Sequence, residues 1–147
     1  ANRPGVLTLH AAACAANATH VNFVSSDTDG HIARDNKVDA GKDTTRVPCV
    51  NLGTALPTLG FERIDYFSLD VDGAELLVLE TLDWTRLAVG IMIVECHVNG
   101  CISAQDHKVK ALLTSKGLRR VMTLRTRHDI WNAAFVNDSW VGTYSRP

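Results

Sequence analysis

Three carboxylates and one imidazole follow two apolar stretches of this sequence, and they are the side chains best suited to chemistry. Asp70 and Asp72 come after the first stretch, and Glu95 and His97 come after the second. A histidine or carboxylate can take a proton from a hydroxyl, and histidine suits this role because its ordinary pKa lies near neutral pH. Carboxylate oxygens are also the ligands that magnesium prefers. The pattern therefore predicts a general base, with His97 as its natural candidate, or a magnesium site formed by Asp70, Asp72 and Glu95.

Two strands and a helix must position these groups. Residues 66–69 are apolar or small, which is typical of a strand covered on both faces, and Gly73 marks a turn after them. Residues 74–82 then carry apolar side chains at helical spacing. The carboxyl ends of parallel strands in an open α/β sheet share one edge, where ligands bind. If the strand at 66–69 and the strand at 89–96 are neighbours, their acidic ends share one pocket.

Structural roles compete with chemical ones for some of these residues. Asp72 could only cap the helix, and Glu75 in its first turn gains from the helix dipole without any chemistry. Glu95 and His97 could form a polar pair at a strand end. Asp70 is different, because a carboxylate that ends a buried strand costs desolvation energy that capping does not explain. Asp70 is therefore the first candidate for a residue beside the reacting centre.

A longer pattern surrounds these residues. Residues 64–75 read Ile-Asp-Tyr-Phe-Ser-Leu-Asp-Val-Asp-Gly-Ala-Glu, and residues 76–84 read Leu-Leu-Val-Leu-Glu-Thr-Leu-Asp-Trp. The pattern resembles the FkbM-type S-adenosylmethionine-dependent methyltransferases, and the resemblance continues at 47–52 and 91–97. Ser68 and the Leu-Asp-Trp ending are closest to the eukaryotic, Star-like members.

The resemblance implies a fold and an activity. The fold is a Rossmann-like class I methyltransferase sheet, mostly parallel, with a C-terminal antiparallel hairpin. The activity is transfer of a methyl group from S-adenosylmethionine to an oxygen of a sugar, lipid or small metabolite. Asp70, Glu95 and His97 would be catalytic, and Ala12, Ala13, Asp70 and Asp72 would line the cofactor, with the two alanines near its adenine ring.

Two other functions remain open from the residues. One is a non-catalytic relative, a binding or trafficking protein that keeps the sheet but not the cofactor site. The other, more distant, is a metal-dependent glycosyltransferase, because Asp70-Val71-Asp72 is the Asp-x-Asp tripeptide that many such enzymes use.

The resemblance also predicts that part of the enzyme is missing. A complete enzyme of this class begins with a strand, a Gly-rich turn and a second strand that ends in an acidic residue, and no such turn precedes residue 64. We therefore expect residues 1–147 to form a single partial domain, the C-terminal portion of a longer chain. The family commonly has Leu-Asp where this chain has Leu52-Gly53, which removes one carboxylate.

Composition excludes some functions and leaves the compartment open. The chain has 15 basic and 16 acidic residues in 147, so no basic excess favours nucleic-acid binding. No apolar run is long enough to cross a bilayer. The four cysteines show neither a Cys-x-x-Cys pair nor zinc spacing, which predicts buried free thiols. Either the cytoplasm or the lumen of the secretory pathway fits these features.

The remaining pattern predicts the other elements. Ser103 should cap a helix that runs to Lys116. A polar stretch from 27 to about 46 predicts a mobile surface loop, and 55–60 predicts a broken helical turn. Further strands are predicted at 6–9, 20–24, 47–52, 118–126 and 133–136.

Overall fold

The computed structural model describes residues 6–14, 18–24, 31–33, 43–96, 100–126 and 130–141. In these residues the strands are β1 (Ala12–Ala13), β2 (His20–Val24), β3 (His31–Ile32), β4 (Thr44–Val50), β5 (Arg63–Leu69), β6 (Ala88–Glu95), β7 (Leu118–Arg125) and β8 (Trp131–Asn137). The helices are α1 (Leu52–Thr58), α2 (Glu75–Thr81), α3 (Ala104–Ser115) and α4 (Asp138–Val141).

The strands form two sheets. The first has the order β1-β4-β2-β3, and the second has the order β5-β6-β8-β7. A mixed α/β fold is therefore confirmed. The expected antiparallel pair at the C-terminal end is present as β7 and β8. A mostly parallel sheet is not confirmed, because only β1 with β4 and β5 with β6 pair in parallel among the described strands, while the other four pairings are antiparallel.

The main core packs the second sheet against α2 and α3. Leu79 of α2, Met92 of β6 and Leu113 of α3 have no exposed surface, and Phe135 of β8 is 1% exposed. Burial of each such side chain stabilises the fold by about 1.5–3 kcal/mol. This core fixes the orientation of β5 and β6, the two strands that end in carboxylates.

The helix predicted after Ser103 begins and ends as expected. The Ser103 hydroxyl accepts from the Asp106 N–H at 3.0 Å, and the Asp106 carboxylate accepts from the Ser103 N–H at 2.8 Å, which forms a capping box. Gly117 ends the helix with a φ of +85°, a conformation that glycine adopts easily.

Two side-chain contacts hold helix α4 against the second sheet. Its first residue, Asp138, forms a bidentate ion pair with Arg119, at 2.7 and 2.8 Å. Its Trp140 ring lies under the Arg63 guanidinium, 3.6 Å from the ring centroid. Gly90 permits this packing, because a Cβ there would lie 2.6 Å from the indole Nε1.

Some predicted elements differ in the structure. Residues 6–9 do not form a strand, because no described strand pairs with them, and Val6, Leu7 and Leu9 are each more than half exposed. Much of the predicted loop 27–46 lies outside the described residues, but its described parts include β3 and the start of β4, both paired with β2. Residues 127–129, between the strands predicted at 118–126 and 133–136, also lie outside them.

The prediction of free thiols is wrong. Cys14 is bonded to Cys49 and Cys96 to Cys101, with Cα–Cα distances of 5.5 and 5.0 Å. The first bond follows from strand pairing, because β1 lies parallel to β4 and the Cys14 N–H donates to the Val50 carbonyl at 3.0 Å. Cysteine spacing carries no information about this pairing.

No helix in the described part of the chain is both long and apolar enough to span a membrane.

Candidate functional site

The pairing of β5 with β6 brings the predicted acidic residues together. The two strands run parallel with Leu69 opposite Val94, so Asp70 and Glu95 leave the sheet at the same edge. One carboxylate oxygen from each of Asp70, Asp72 and Glu95 lies within 4.8 Å of the other two. These three residues are called the acidic cluster below. The predicted adjacency of the two strands is confirmed, and it brings their acidic ends close together.

Glu95 has an altered affinity for protons within this cluster. Burial, a hydrogen bond with the Asp70 carboxyl and the negative charges of Asp70, Glu75 and Asp72 raise the pKa of Glu95 from 4.5 to about 7. Near neutral pH the Glu95 carboxyl is therefore in exchange between its protonated and charged forms. A carboxyl with such a pKa can accept or donate a proton at working pH.

A tight turn places Asp72 in the acidic cluster. Asp72 and Gly73 have φ values of +48° and +94°, and the Ala74 N–H donates to the Val71 carbonyl at 3.2 Å. Asp-Gly is a favoured pair where two consecutive residues have positive φ. Asp72 does not cap α2, because Ala74 occupies the N-cap position without a side-chain hydrogen bond. The capping interpretation of Asp72 is therefore wrong.

The Glu75 carboxylate stabilises the Asp72-Gly73 turn through hydrogen bonds. Its side chain is 3% exposed, and its Oε1 accepts from the N–H groups of Val71 at 3.2 Å and Gly73 at 3.1 Å. The Gln105 amide of α3 donates to Glu75 Oε2 at 3.2 Å and to the Gly73 carbonyl at 2.8 Å. The structure therefore gives Glu75 a structural role, and it uses both oxygens of the carboxylate.

An open cleft of about 260 Å³ lies against the acidic cluster. It is lined by Asp72, Gly73, Glu75, Glu95 and Cys96. Ligand sites that enclose a whole small molecule usually have roughly 300–1,000 Å³. The cleft is smaller than this, and its carboxylates would suit a cationic group or sugar hydroxyls.

The other predicted site residues are His97, Ala12 and Ala13. His97 lies outside the described residues. Ala12 and Ala13 form β1 and pair with Cys49 and Val50 of β4, not with β5 or β6.

Two features near the cluster were missed in the sequence. Gln105 carries no local signal of its contact with Glu75, since 30 residues separate them. The Cys96–Cys101 bond was missed because Cys-x₄-Cys is neither a Cys-x-x-Cys pair nor a zinc-binding spacing.

A comparison with protein families finds a match to the methyltransferase FkbM domain over residues 2–119. The match covers well over half of the chain and includes β5, the Asp72-Gly73 turn, α2 and β6. No curated protein and no solved structure matches the chain significantly.

Proposed function

The chain belongs to the FkbM methyltransferase family, and from this premise we propose that it is part of an enzyme that methylates an oxygen. The acceptor class is a sugar, lipid or small metabolite with a free hydroxyl. S-adenosylmethionine, the usual cofactor of the family, supplies an electrophilic methyl group on a sulfonium when bound. The parallel β5–α2–β6 unit and the β7–β8 pair support a Rossmann-like arrangement for this part of the enzyme.

The acidic cluster is the observation that carries this proposal. Methyl transfer to a hydroxyl needs the acceptor oxygen held in line with the methyl carbon and a group that takes its proton. Asp70 and Glu95 lie side by side at the end of two adjoining strands, and the pKa of Glu95 is raised to about 7. Glu95 in its charged form would accept the proton, while Asp70 would orient the hydroxyl. His97 remains the second candidate for the base.

The residues present fit one side of the cofactor. The carboxylates of Asp70 and Asp72 are exposed, so they can attract a cationic sulfonium or accept hydrogen bonds from ribose hydroxyls. The small side chains of Ala12 and Ala13 are half-buried and would allow the adenine ring to approach closely. Contact between the two alanines and the cofactor is part of the proposal.

Magnesium is the competing occupant of the acidic cluster. Three carboxylates within 4.8 Å suit this ion, but exposed acidic groups commonly cluster without one. No step of the proposed reaction passes through a metal. A calorimetric titration of the intact protein with magnesium measures whether the ion binds. Binding would favour magnesium as the occupant of the acidic cluster, and no binding would favour the cofactor.

A cofactor titration distinguishes the enzyme from a binding or trafficking protein of the same fold. The enzyme should bind S-adenosylmethionine in calorimetry and consume it with an acceptor present. A complete lack of cofactor binding by the intact protein would favour the non-catalytic alternative.

Substitution of Asp70 is the sharpest test of the site. In the intact protein, Asp70→Asn should lower the rate of methyl transfer by roughly 100-fold, because the acceptor hydroxyl loses the group that orients it and a small misplacement costs about that much. Asp65→Asn is the matched control, since Asp65 lies on β5, the strand that Asp70 follows, and its exposed carboxylate contacts Arg63 at 3.6 Å. The control should change the rate by less than about twofold, and circular dichroism should be unchanged in both. Equal rates for Asp70→Asn and the natural protein would remove Asp70 from the site.

A further inference from the structure

The Cys96–Cys101 disulfide lies beside the acidic cluster. Cys96 follows Glu95 directly and lines the same cleft. The Cys96 N–H donates to the Trp131 carbonyl at 2.8 Å, so this residue still belongs to the edge of the sheet. Cys101 is 2% exposed and belongs to the main core. The bond therefore links the acidic end of β6 covalently to Cys101 in the main core.

Cys101 and the residue before it have an uncommon backbone conformation. Gly100 and Cys101 have φ values of +79° and +58°, a left-handed pair. Positive φ is uncommon for residues with a side chain, so tertiary contacts must hold Cys101 in this conformation. The disulfide and the burial of Cys101 are such contacts.

The contacts continue from Cys101 to the other half of the acidic cluster. Two residues later, Ser103 starts α3 through the capping box with Asp106. Gln105, in the first turn of α3, donates to the Gly73 carbonyl and to Glu75. Glu75 in turn accepts from the N–H groups that bracket Asp72. The sequence of contacts thus runs from Glu95 through the disulfide and α3 back to Asp72.

We propose that Cys96, Cys101 and Gln105 are positioning residues that hold the two halves of the acidic cluster together. One half is Glu95, at the end of β6, and the other is Asp70 with Asp72, after β5. Reduction of the disulfide releases the Glu95 end and also loosens the start of α3, so the Asp72-Gly73 turn loses the support of Gln105. The consequence for methyl transfer rests on the proposed function, whereas the positioning itself does not.

Hydrogen exchange of the turn measures the positioning without any assay of activity. In the intact protein, the double variant Cys96→Ser with Cys101→Ser should raise the exchange rate of residues 70–75 by roughly tenfold, because local opening controls exchange. The matched control is Cys14→Ser with Cys49→Ser, which removes the other disulfide, and it should change exchange at 70–75 by less than about twofold. Equal exchange at 70–75 in the two double variants would overturn the proposal.

Two further measurements keep the test decisive if the double variant folds poorly. The Cys14→Ser with Cys49→Ser protein retains only Cys96–Cys101 of the two disulfides in residues 1–147, so of these two bonds dithiothreitol can reduce that one alone. Exchange at 70–75 should rise on reduction and return on reoxidation by oxidised glutathione. Gln105→Leu should raise the same exchange while the disulfide remains intact. Unchanged exchange in both measurements would overturn the proposal.

Turnover and exchange together separate this proposal from the proposed function. Faster exchange at 70–75 with unchanged cofactor affinity and turnover supports the positioning and contradicts the catalytic role of the cluster. Lower turnover without faster exchange contradicts the positioning.

Discussion

Glu95 shows how a single carboxyl can link folding to chemistry. Partial burial at the sheet edge removes part of its hydration, and neighbouring carboxylates repel its negative charge. The sequence predicted which carboxylates would meet, because two apolar stretches each ended in acidic residues. It could not predict the buried role of Glu75, because that depends on Gln105, which lies on a distant helix.

The raised pKa of Glu95 predicts a pH-dependent gain in stability for Glu95→Gln. Below pH 4.5 Glu95 is protonated in both the folded and the unfolded state, so the variant and the natural protein should be equally stable. Between pH 4.5 and about 7 the unfolded state releases the proton first, so the natural protein loses stability as the pH rises. Above pH 7 we expect the variant to be more stable by about 1–2 kcal/mol, after solvent screening.

Urea unfolding at pH 4 and pH 8 checks this difference. Glu80→Gln is the control, because it removes an exposed glutamate from α2. The same gain at pH 8 in the control would assign the effect to net charge, not to the acidic cluster.

The central elements were predictable, and their neighbours were less so. The strand, turn and helix at β5 and α2, the strand β6 and the helix α3 all follow from apolar periodicity with clear start and stop residues. Residues 6–9 have the same apolar character, yet they form no strand because strand formation needs a partner. The start of β4 was missed because Thr44 to Arg46 are polar and form a strand only through pairing with β2.

Packing between α1 and α2 explains the glycine at position 53. A Cβ there would overlap the Thr81 carbonyl oxygen and would lie 3.1 Å from Asn51 Oδ1, the group that caps α1. The structure therefore gives Gly53 a packing role, whereas the sequence showed only a missing carboxylate.

We expect Gly53→Ala to destabilise the fold by about 1–3 kcal/mol, because overpacking forces the two helices apart. Helix propensity alone predicts the opposite, a gain of roughly 1 kcal/mol. Chemical denaturation measures the free energy of unfolding and so decides between them. Ala55→Gly in the same helix measures the effect of helix propensity alone. A more stable Gly53→Ala protein would show that α1 moves without cost.

The described residues form two sheets and four helices, with one disulfide beside each sheet. The β5–β6 and β7–β8 neighbours were predicted, but the rest of the sheet order and the Cys14–Cys49 bond were not, since both depend on contacts between residues far apart in the chain. Disulfides of this kind persist in oxidising surroundings. Where they persist, the two disulfides should stabilise the fold, in addition to the positioning role proposed for Cys96–Cys101.

The two disulfides should differ in their effect on global stability. In the chain-entropy account, a bond across 35 residues contributes about 4 kcal/mol and a bond across 5 residues about 2 kcal/mol. The Cys14→Ser with Cys49→Ser variant should therefore unfold at lower urea concentration than the Cys96→Ser with Cys101→Ser variant. The reverse order would mean that native contacts, not loop closure, dominate the effect of these bonds.

The left-handed backbone at Asp72 restricts which amino acids evolution can place there. Only glycine, asparagine and aspartate adopt such a conformation readily. A library randomised at this codon and selected for folding alone should return chiefly these three. A second selection, for growth that depends on methylation, would then show whether aspartate is preferred to glycine and asparagine. Such a preference would mean that the negative charge at position 72 is needed for chemistry and not only for the turn.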